Sequence, residues 1–279
     1  MILTLVHIEL EKLFRSKRSY IGLLAIVLII LVIEGGIMLQ GEALIDLISE
    51  NLQDVFILQG NLLNGYLISF LSINALWLHV PILVVIVTAD LISGEAGSGT
   101  IRLILSRPVS RSKLILAKFI TAIIYTTLLV LLLAVLSLFL GILFFGKGDI
   151  FVIYGSINIL QEEILPGRFI MAFSFGVLGM WLVASLSFVF SALAENSLSP
   201  ILLTMSIIIL FTVVSSFEIG IFEDLKPYLF TTHMSNWRYF FSYKLEWAKI
   251  MQSGLILVAH IVLFISLTLF IFGKKDITS

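Results

Sequence analysis

The sequence contains no cysteine and few charged residues. Of its 279 residues, 13% are charged and 59% are hydrophobic, and the net charge is −1. The absence of cysteine excludes disulfides, thiolate metal ligands and thiol nucleophiles. So low a charged fraction excludes an ordinary soluble domain, in which about 25% of residues are charged. Nothing in the charge pattern indicates a nucleic-acid partner. The composition predicts an integral membrane protein.

Six apolar runs are long enough to cross a bilayer as helices, which takes about 20 residues each. They predict an all-α fold, a single transmembrane domain over residues 1–279 with spans at 20–39, 66–89, 113–145, 169–193, 200–217 and 251–273. The remaining parts are a coupling segment at 90–111 and outer segments at 40–65, 146–168 and 218–250. The N-terminus, M-I-L-T-L-V-H-I-E-L-E-K, has no basic region ahead of an apolar core, and no small-residue cleavage site precedes the first long run, so we expect no cleaved signal peptide.

Residues 1–18 have polar positions at helical spacing, at Thr4, His7, Glu11, Arg15 and Arg18. This pattern predicts an amphipathic helix lying in the headgroup plane. A simple anchor and a contact with a cytoplasmic partner both fit it.

Lysine and arginine are divided unequally between the two sides that six spans define. The side of both termini carries Lys12, Arg15, Lys17, Arg18, Arg102, Arg107, Arg111, Lys113, Lys118, Lys274 and Lys275. The other side carries Lys147, Arg168, Lys226, Arg238, Lys244 and Lys249. Because basic residues near helix ends are retained in the cytoplasm, both termini are predicted to be cytoplasmic. We expect a multi-pass protein of a bacterial or archaeal plasma membrane.

Some ionisable residues within the predicted spans need an explanation, among them His79, Lys118 and His260. His79 and His260 are candidates for a translocation path, because ionisable residues at depth usually face the protein interior. A hydrogen bond within the helix bundle is the more ordinary role for both. Lys118, one turn into the third span, is expected to reach back to the cytoplasmic interface. Pro81 is expected to loosen the turn before it in the second span.

The outer segments show two further patterns. Residues 42–58 place acids every four residues, at Glu42, Asp46, Glu50 and Asp54, which predicts a solvated helix face or a strip that attracts cations. Residues 217–247 are rich in aromatics, which predicts short helices in an outer aromatic belt. A lid over an exit path is the functional alternative for that segment.

The stretch from Ala89 to Lys118 is a long polar interruption between two apolar spans. Asp90 is predicted to end the second span, and glycines at 94, 97 and 99 provide a flexible turn. Thr100 can cap a short helix at 101–106, which Pro108 ends. Ser110 can start the next helix, although Arg111 and Lys113 then oppose its dipole.

This stretch, D-x-I-S-G-E-x-x-x-G-T-I-R-x-x-L-S-R-P-V-S-R, resembles permease subunits of type-2 ABC transporters. The resemblance implies a coupling helix between spans two and three and six spans in all. It implies a dimer with a second copy or a sister permease, surrounded by lipid. Two separate ATPase subunits would bind ATP and Mg²⁺, and this chain itself would be neither an enzyme nor a cofactor-binding protein. We therefore expect the membrane subunit of an ATP-driven transporter that works as an exporter. The residues that match the pattern, or give its apolar face, are Asp90, Ser93, Gly94, Glu95, Gly99, Thr100, Ile101, Arg102, Ile104, Leu105, Pro108 and Arg111.

Two alternatives stay open. The run E-E-I-L-P-G-R at 162–168 is similar to the glutamate motif of CAAX-type intramembrane proteases, although Arg168 comes one residue late and no histidine has phenylalanine four residues before it. An ATPase-independent carrier or channel also fits six spans. The run G-I-L-F-F-G-K at 141–147 is no phosphate-binding loop, because Gly148 follows where serine or threonine is required. His233 and Met234 are a weak indication of metal binding.

Overall fold

The computed structural model describes residues 2–49, 63–105, 109–154, 156–217 and 219–275. Within these ranges, six helices are long and apolar enough to cross a membrane: Lys17–Gly41, His79–Gly97, Arg111–Phe145, Glu162–Leu193, Leu198–Ser216 and Trp247–Lys274. The predicted helical membrane fold is confirmed at this level. The chain is a multi-pass membrane protein.

The helices are numbered in chain order. They are α1 (Ile2–Arg15), α2 (Lys17–Ser49), α3 (Gly65–Leu76), α4 (His79–Gly97), α5 (Thr100–Leu105), α6 (Arg111–Phe145), α7 (Leu165–Leu193), α8 (Leu198–Ser216), α9 (Ile221–Leu225), α10 (Phe230–Met234) and α11 (Trp247–Lys274). Short 3₁₀ helices cover Glu162–Ile164, Lys226–Tyr228 and Ser235–Phe241. Helix α2 is kinked at Gln40. The side chains of the predicted acidic stripe at Glu42, Asp46, Glu50 and Asp54 lie outside the described part of the structure.

The second predicted span is two helices. Helix α3 ends at Leu76 and α4 begins at His79, with Pro81 in the first turn of α4. The break falls one turn before Pro81, which lacks the N–H that would bond to the carbonyl of Trp77. The membrane-length helix of this region is therefore α4, which extends to Gly97 rather than ending near residue 89.

A β-hairpin that the sequence analysis did not predict follows α6. Strands β1 (Ile150–Tyr154) and β2 (Ser156–Leu160) pair antiparallel, with Val152 opposite Asn158. Ile150, Val152 and Leu160 are buried, whereas Ile153 and Ile159 are exposed, as alternation across a strand requires. The run of β-branched residues at 150–159 is the sequence signal that was missed.

The bundle has two ends, which are named here by their contents. The N-terminal end holds α1, the start of α2, α5 and the last turn of α11. The hairpin end holds β1, β2 and the segment from α9 to the start of α11. Helix α7 lies centrally and contacts α4, α6, α8 and α11.

Helices α4 and α7 are joined by small hydroxyl residues. Thr88 Oγ1 donates to Ser187 Oγ at 3.1 Å, and the backbone N–H of Ser93 donates to Ser191 Oγ at 2.9 Å. Ser191 Oγ in turn donates to the carbonyl of Ala89. These side chains are fully buried, so the two helices can approach closely while their polar groups remain paired.

The aromatic segment at 217–247 is only partly the predicted belt. Phe230, Trp237, Phe240 and Phe241 are at most 4% exposed and belong to the main apolar core. Trp237 packs against Phe70 and Trp77 with tilted rings, at ring-centroid distances of 5.8 and 5.7 Å. The belt interpretation is wrong for these four residues, because the segment folds back between the helices. Tyr228, Tyr243 and Trp247 are exposed.

Helices α3 and α6 cross at two glycines, which generates a prediction. A Cβ on Gly65 would collide with the backbone of Gly141, whereas a Cβ on Gly36 meets nothing within 4 Å. We expect Gly65→Ala to destabilise the protein by about 1–3 kcal/mol, as overpacking does. Gly36→Ala is the matched control and should leave stability unchanged or raise it, because alanine favours helix. Thermal unfolding in detergent measures both, and equal melting temperatures for the two variants would contradict the crossing.

Candidate functional site

A buried lysine binds carboxylates from two other helices at the N-terminal end. Lys118 Nζ of α6 lies 2.7 Å from Glu9 Oε2 of α1 and 2.7 Å from Glu95 Oε2 of α4. The Lys118 side chain is 0% exposed. The expectation that Lys118 reaches out to the interface is therefore wrong, since its ammonium group turns inward to these two acids.

Lys12 completes this group, which we call the ion cluster: Glu9, Lys12, Glu95 and Lys118. Lys12 Nζ lies 2.8 Å from Glu9 Oε1 and 3.0 Å from Glu95 Oε1. Desolvation lowers the pKa of Lys12, but hydrogen bonds and coulombic attraction from Glu9 and Glu95 outweigh it, so the pKa is raised. A raised lysine pKa stabilises the fold at neutral pH, and this contribution disappears only as the pH rises beyond 10.5.

Asp90 ties the start of α2 to the turn between α7 and α8. Its Oδ1 forms a salt bridge with Arg18 and accepts a hydrogen bond from Ser197. Gly94 lies directly beside this carboxylate, and a Cβ at Gly94 would collide with it. Asp90 was predicted to end the span; it instead lies within α4 and connects three elements.

The predicted flexible turn is shorter than expected, because Gly94 and Gly97 lie inside α4 and only Gly99 lies in the turn after it. Gly99 has a φ of +72°, in the left-handed region that glycine adopts without strain. The hydroxyls of Ser98 and Thr100 both donate to the carbonyl of Glu95, at 3.3 Å each. Thr100 is the first residue of α5 and bonds back to α4, which differs from the predicted capping role.

Helix α5 turns much of its apolar surface toward the chain itself. Ile101 is 3% exposed and belongs to an apolar cluster with residues of α4, α6, α7 and α11, such as Ile92, Leu114, Phe188 and Phe272. Ile104 packs against the same cluster, whereas Leu103 is 71% exposed. Ile101 was predicted to contact an ATPase, but its side chain is inaccessible to a partner. The side chains of Arg102 and Leu105, and the whole of Pro108, lie outside the described residues.

Two basic residues bind the carboxyl ends of long helices at this end. Arg111 Nη1 donates to the carbonyls of Gly273 at 3.2 Å and Lys275 at 2.6 Å. Lys275 Nζ donates to the carbonyls of Ala192 at 3.0 Å and Ala194 at 3.1 Å. Helix carboxyl ends carry partial negative charge, so both cations are favourably placed. Arg111 thus offsets its poor position at the start of α6 by capping α11.

The two histidines predicted for a path each contact a backbone carbonyl four residues earlier in the chain. His79 Nδ1 contacts the carbonyl of Ala75 at 2.9 Å, and its side chain is exposed. His260 Nδ1 contacts the carbonyl of Ile256 at 2.8 Å, and its ring lies against Phe230 and Phe264. A role for either in a path stays a prediction.

Within the described part of the structure, no histidine contacts Glu162 or Glu163, the two glutamates of the protease-like motif. Glu162 lies 3.9 Å from Lys147, whereas His233 contacts Ser253 and the carbonyl of Pro227. Across the described ranges, no group of three or more His, Asp or Glu residues could hold a metal ion. The weak metal interpretation of His233 and Met234 gains nothing from this arrangement.

Sequence reasoning missed several residues of this region. Glu9 and Ser197 were not singled out, and Arg18 was assigned only to the polar positions of the amphipathic helix and to the basic residues of the cytoplasmic side. The buried pairing of Lys118 could have been expected from the sequence, because a charge inside an apolar span usually has a buried partner. Glu34, also inside a span, was overlooked; it is 1% exposed, and neither oxygen has a hydrogen-bond partner among the described residues.

A polar cavity of about 370 Å³ opens beside the ion cluster. It lies between α1, the first turn of α2, the last three turns of α4 and the turn between α7 and α8. Its lining includes the charged residues Glu9, Lys12, Arg18, Asp90 and Glu95 and the hydroxyl residues Ser16, Ser19, Ser98 and Ser197.

The fold and this polar end define a helical multi-pass membrane protein with a charged junction at one end of its bundle. A family model described as protein of unknown function, DUF2705, matches residues 37–278, and the chain belongs to that family. It is similar to the uncharacterized protein YhcI of Bacillus subtilis (strain 168), with 27% identity over 201 residues. The match covers 70% of this chain and 64% of that relative.

These comparisons correct the family resemblance stated from the sequence. The family model that matches is DUF2705, whose function is unknown, and the similar protein YhcI is uncharacterized. Neither match is to a family of ABC permeases. The assignment to type-2 ABC permeases is therefore wrong. The physical reason is that the matching run of about thirty residues is rich in turn and capping residues. Such residues favour a particular local structure, and proteins of different families can share that local structure.

The ion cluster generates a prediction for Lys118. Lys118→Met would leave Glu9 and Glu95 buried without their central cation, so we expect a loss of about 3–5 kcal/mol in stability. The exposed Lys113 on the same helix gives the matched control, Lys113→Met, which should change little. Chemical unfolding in detergent measures the difference. Adding Glu9→Gln to Lys118→Met should recover part of the loss, and an equal loss in both lysine variants would rule out the buried pairing.

Proposed function

We propose that this chain is the membrane-spanning subunit of an exporter driven by a separate ATPase. The partner would bind ATP and Mg²⁺ and act on the segment at 90–111, and two copies of the membrane subunit, or this chain and a related one, would form the substrate path. The observation that carries the proposal is that the 90–111 segment is attached to the bundle in two ways. Glu95 pairs with Lys12 and Lys118, and Ile101 packs into the apolar cluster.

A force applied to α5 would reach several helices through stiff contacts. Ile101 is packed against α4, α6, α7 and α11, so α5 cannot move without displacing that apolar cluster. Glu95, one turn and a half before α5, is held by Lys118 of α6 and Lys12 of α1. The turn at 98–100 between them is short and internally bonded. A segment attached in this way is suited to transmitting movement.

The proposed contact with the ATPase differs from the sequence expectation in its details. Glu95 is 17% exposed and Ile101 is buried, so these residues would position α5 rather than touch a partner. Leu103 is the exposed apolar residue of α5 among those whose side chains are described. It is therefore the residue we assign to the contact surface.

The proposal includes an orientation in which the N-terminal end faces the cytoplasm. Eleven of the seventeen basic residues belong to that side, as the retention of basic loops in the cytoplasm requires. Helix α1 would then lie in the inner headgroup layer. Its exposed Ile2, Leu3 and Ile8 provide an apolar surface for that position, while Val6 and Leu13 are buried against the bundle.

The ATPase contact is tested by Leu103→Glu. We expect this variant to reduce co-purification with a co-expressed candidate ATPase at least about tenfold, because a charge in an apolar contact is strongly unfavourable. Ile221→Glu is the matched control, since Ile221 is 72% exposed but lies at the hairpin end. ATP-dependent transport into vesicles should fall in parallel with the loss of the ATPase. Transport by this chain alone, driven by protons or sodium, would instead support the carrier alternative.

The orientation is tested by cysteine labelling, which the cysteine-free sequence makes simple. Single variants Lys113→Cys and Lys147→Cys place one thiol at each end of α6 and its following turn. In intact cells, a membrane-impermeant maleimide should label Lys147→Cys, whereas Lys113→Cys should require permeabilisation. The reverse labelling pattern would overturn the orientation.

A further inference from the structure

The polar cavity between α1, α2 and α4 has properties of a ligand site that the proposed transport role does not explain. Its volume of about 370 Å³ lies within the range of about 300–1,000 Å³ that is typical of small-molecule pockets. Lys12 and Arg18 line it with side chains that are 43% and 51% exposed, so their charges are accessible from the cavity. Ser16 and Ser98 add hydroxyl groups to the wall.

The charges around the cavity balance each other. Glu9, Asp90 and Glu95 face Lys12 and Arg18 across the lining, and Lys118 binds Glu9 and Glu95 from behind. A site with equal numbers of acids and bases gives a simple anion or cation no net attraction. It favours a ligand that carries both charges, because each charge then meets its opposite.

Arg18 and Asp90 have capacity left to bind such a ligand. A guanidinium group has five N–H donors, and the salt bridge of Arg18 uses Nη1. Arg18 and Ser197 both contact Oδ1 of Asp90, so its second oxygen can accept a further hydrogen bond. A phosphate near Arg18 and an ammonium group near Asp90 would therefore both be satisfied.

An exposed apolar face begins directly beyond this charged group. Ile21, Leu28 and Val32 follow Arg18 at three, ten and fourteen residues, which places them on the same side of α2. They are 58%, 53% and 73% exposed. A ligand with a polar head in the cavity could therefore lay a hydrocarbon chain along α2 within the membrane.

We infer that this cavity binds the headgroup of a zwitterionic phospholipid of the phosphatidylethanolamine type. The phosphate contacts Arg18 and Lys12, the ammonium group contacts Asp90, and an acyl chain follows Ile21 and Leu28. Because α1, α2 and α4 all line the cavity, the bound lipid ties these three helices to the membrane. This inference does not depend on an ATPase partner.

Native mass spectrometry of the full chain in detergent tests the site. Phosphatidylethanolamine should bind at least about tenfold more tightly than phosphatidylglycerol, since the latter lacks the ammonium group. Soluble glycerophosphoethanolamine and inorganic phosphate should compete weakly, because they lack the acyl chains. Equal binding of the two lipids would overturn the zwitterionic site, and full competition by either soluble compound would overturn a lipid as the source of the phosphate.

Two variants and a matched control locate the binding. Arg18→Gln should weaken phosphatidylethanolamine binding about tenfold, as loss of a charged hydrogen bond does. Ser16→Phe should weaken it similarly by filling the cavity, and it removes no charge, so it keeps the test valid if Arg18→Gln fails to fold. Arg15→Gln removes an exposed basic residue of α1 outside the cavity lining and should not change binding. Wild-type binding by a folded Ser16→Phe variant would overturn the inference.

Discussion

A single buried ammonium group determines how the N-terminal end is assembled. Lys118 is fully buried in α6, and an isolated charge in that position would be strongly unfavourable. Glu9 and Glu95, both 2.7 Å away, make the position tolerable. Helix α1 must therefore lie against α6, and α4 must continue to Gly97 so that Glu95 reaches the same lysine. The amphipathic helix and the segment at 90–111 become one connected unit through this interaction.

The two ends of the bundle are stabilised by different kinds of interaction. At the N-terminal end, Arg111 and Lys275 bind the carboxyl ends of α11 and α7, and charges join segments that are far apart in sequence. At the hairpin end, Trp237 and Phe241 fill the space between helices by ring packing. A polar, connected end suits a contact with a soluble partner, and a packed aromatic end suits a fixed outer boundary. This contrast is part of the basis for the proposed orientation.

The stretch at 89–118 shows why a motif can be recognised correctly as a structure and assigned to the wrong family. Ser93, Gly94, Glu95 and Ile101 each have a task inside this chain: a helix contact, a close approach, an ion pair and an apolar anchor. These tasks follow from joining two membrane helices through a short polar turn. Any chain with that requirement favours similar residues, so the pattern predicted the local geometry more securely than the ancestry.

The sequence by itself determined the helical membrane class and the number of membrane-length helices, because these depend on local hydrophobicity. Pro81 indicated only a loosened turn, and the tertiary structure showed that α3 and α4 are separate helices. Tertiary structure alone decided what Lys118, Glu95 and the aromatics at 230–241 contact. A lysine one turn inside an apolar span can reach outward or turn inward, and the choice depends on acids 109 and 23 residues away in the chain. Glu9, Arg18 and Ser197 gave no local signal for the same reason, since their roles exist only after the helices pack.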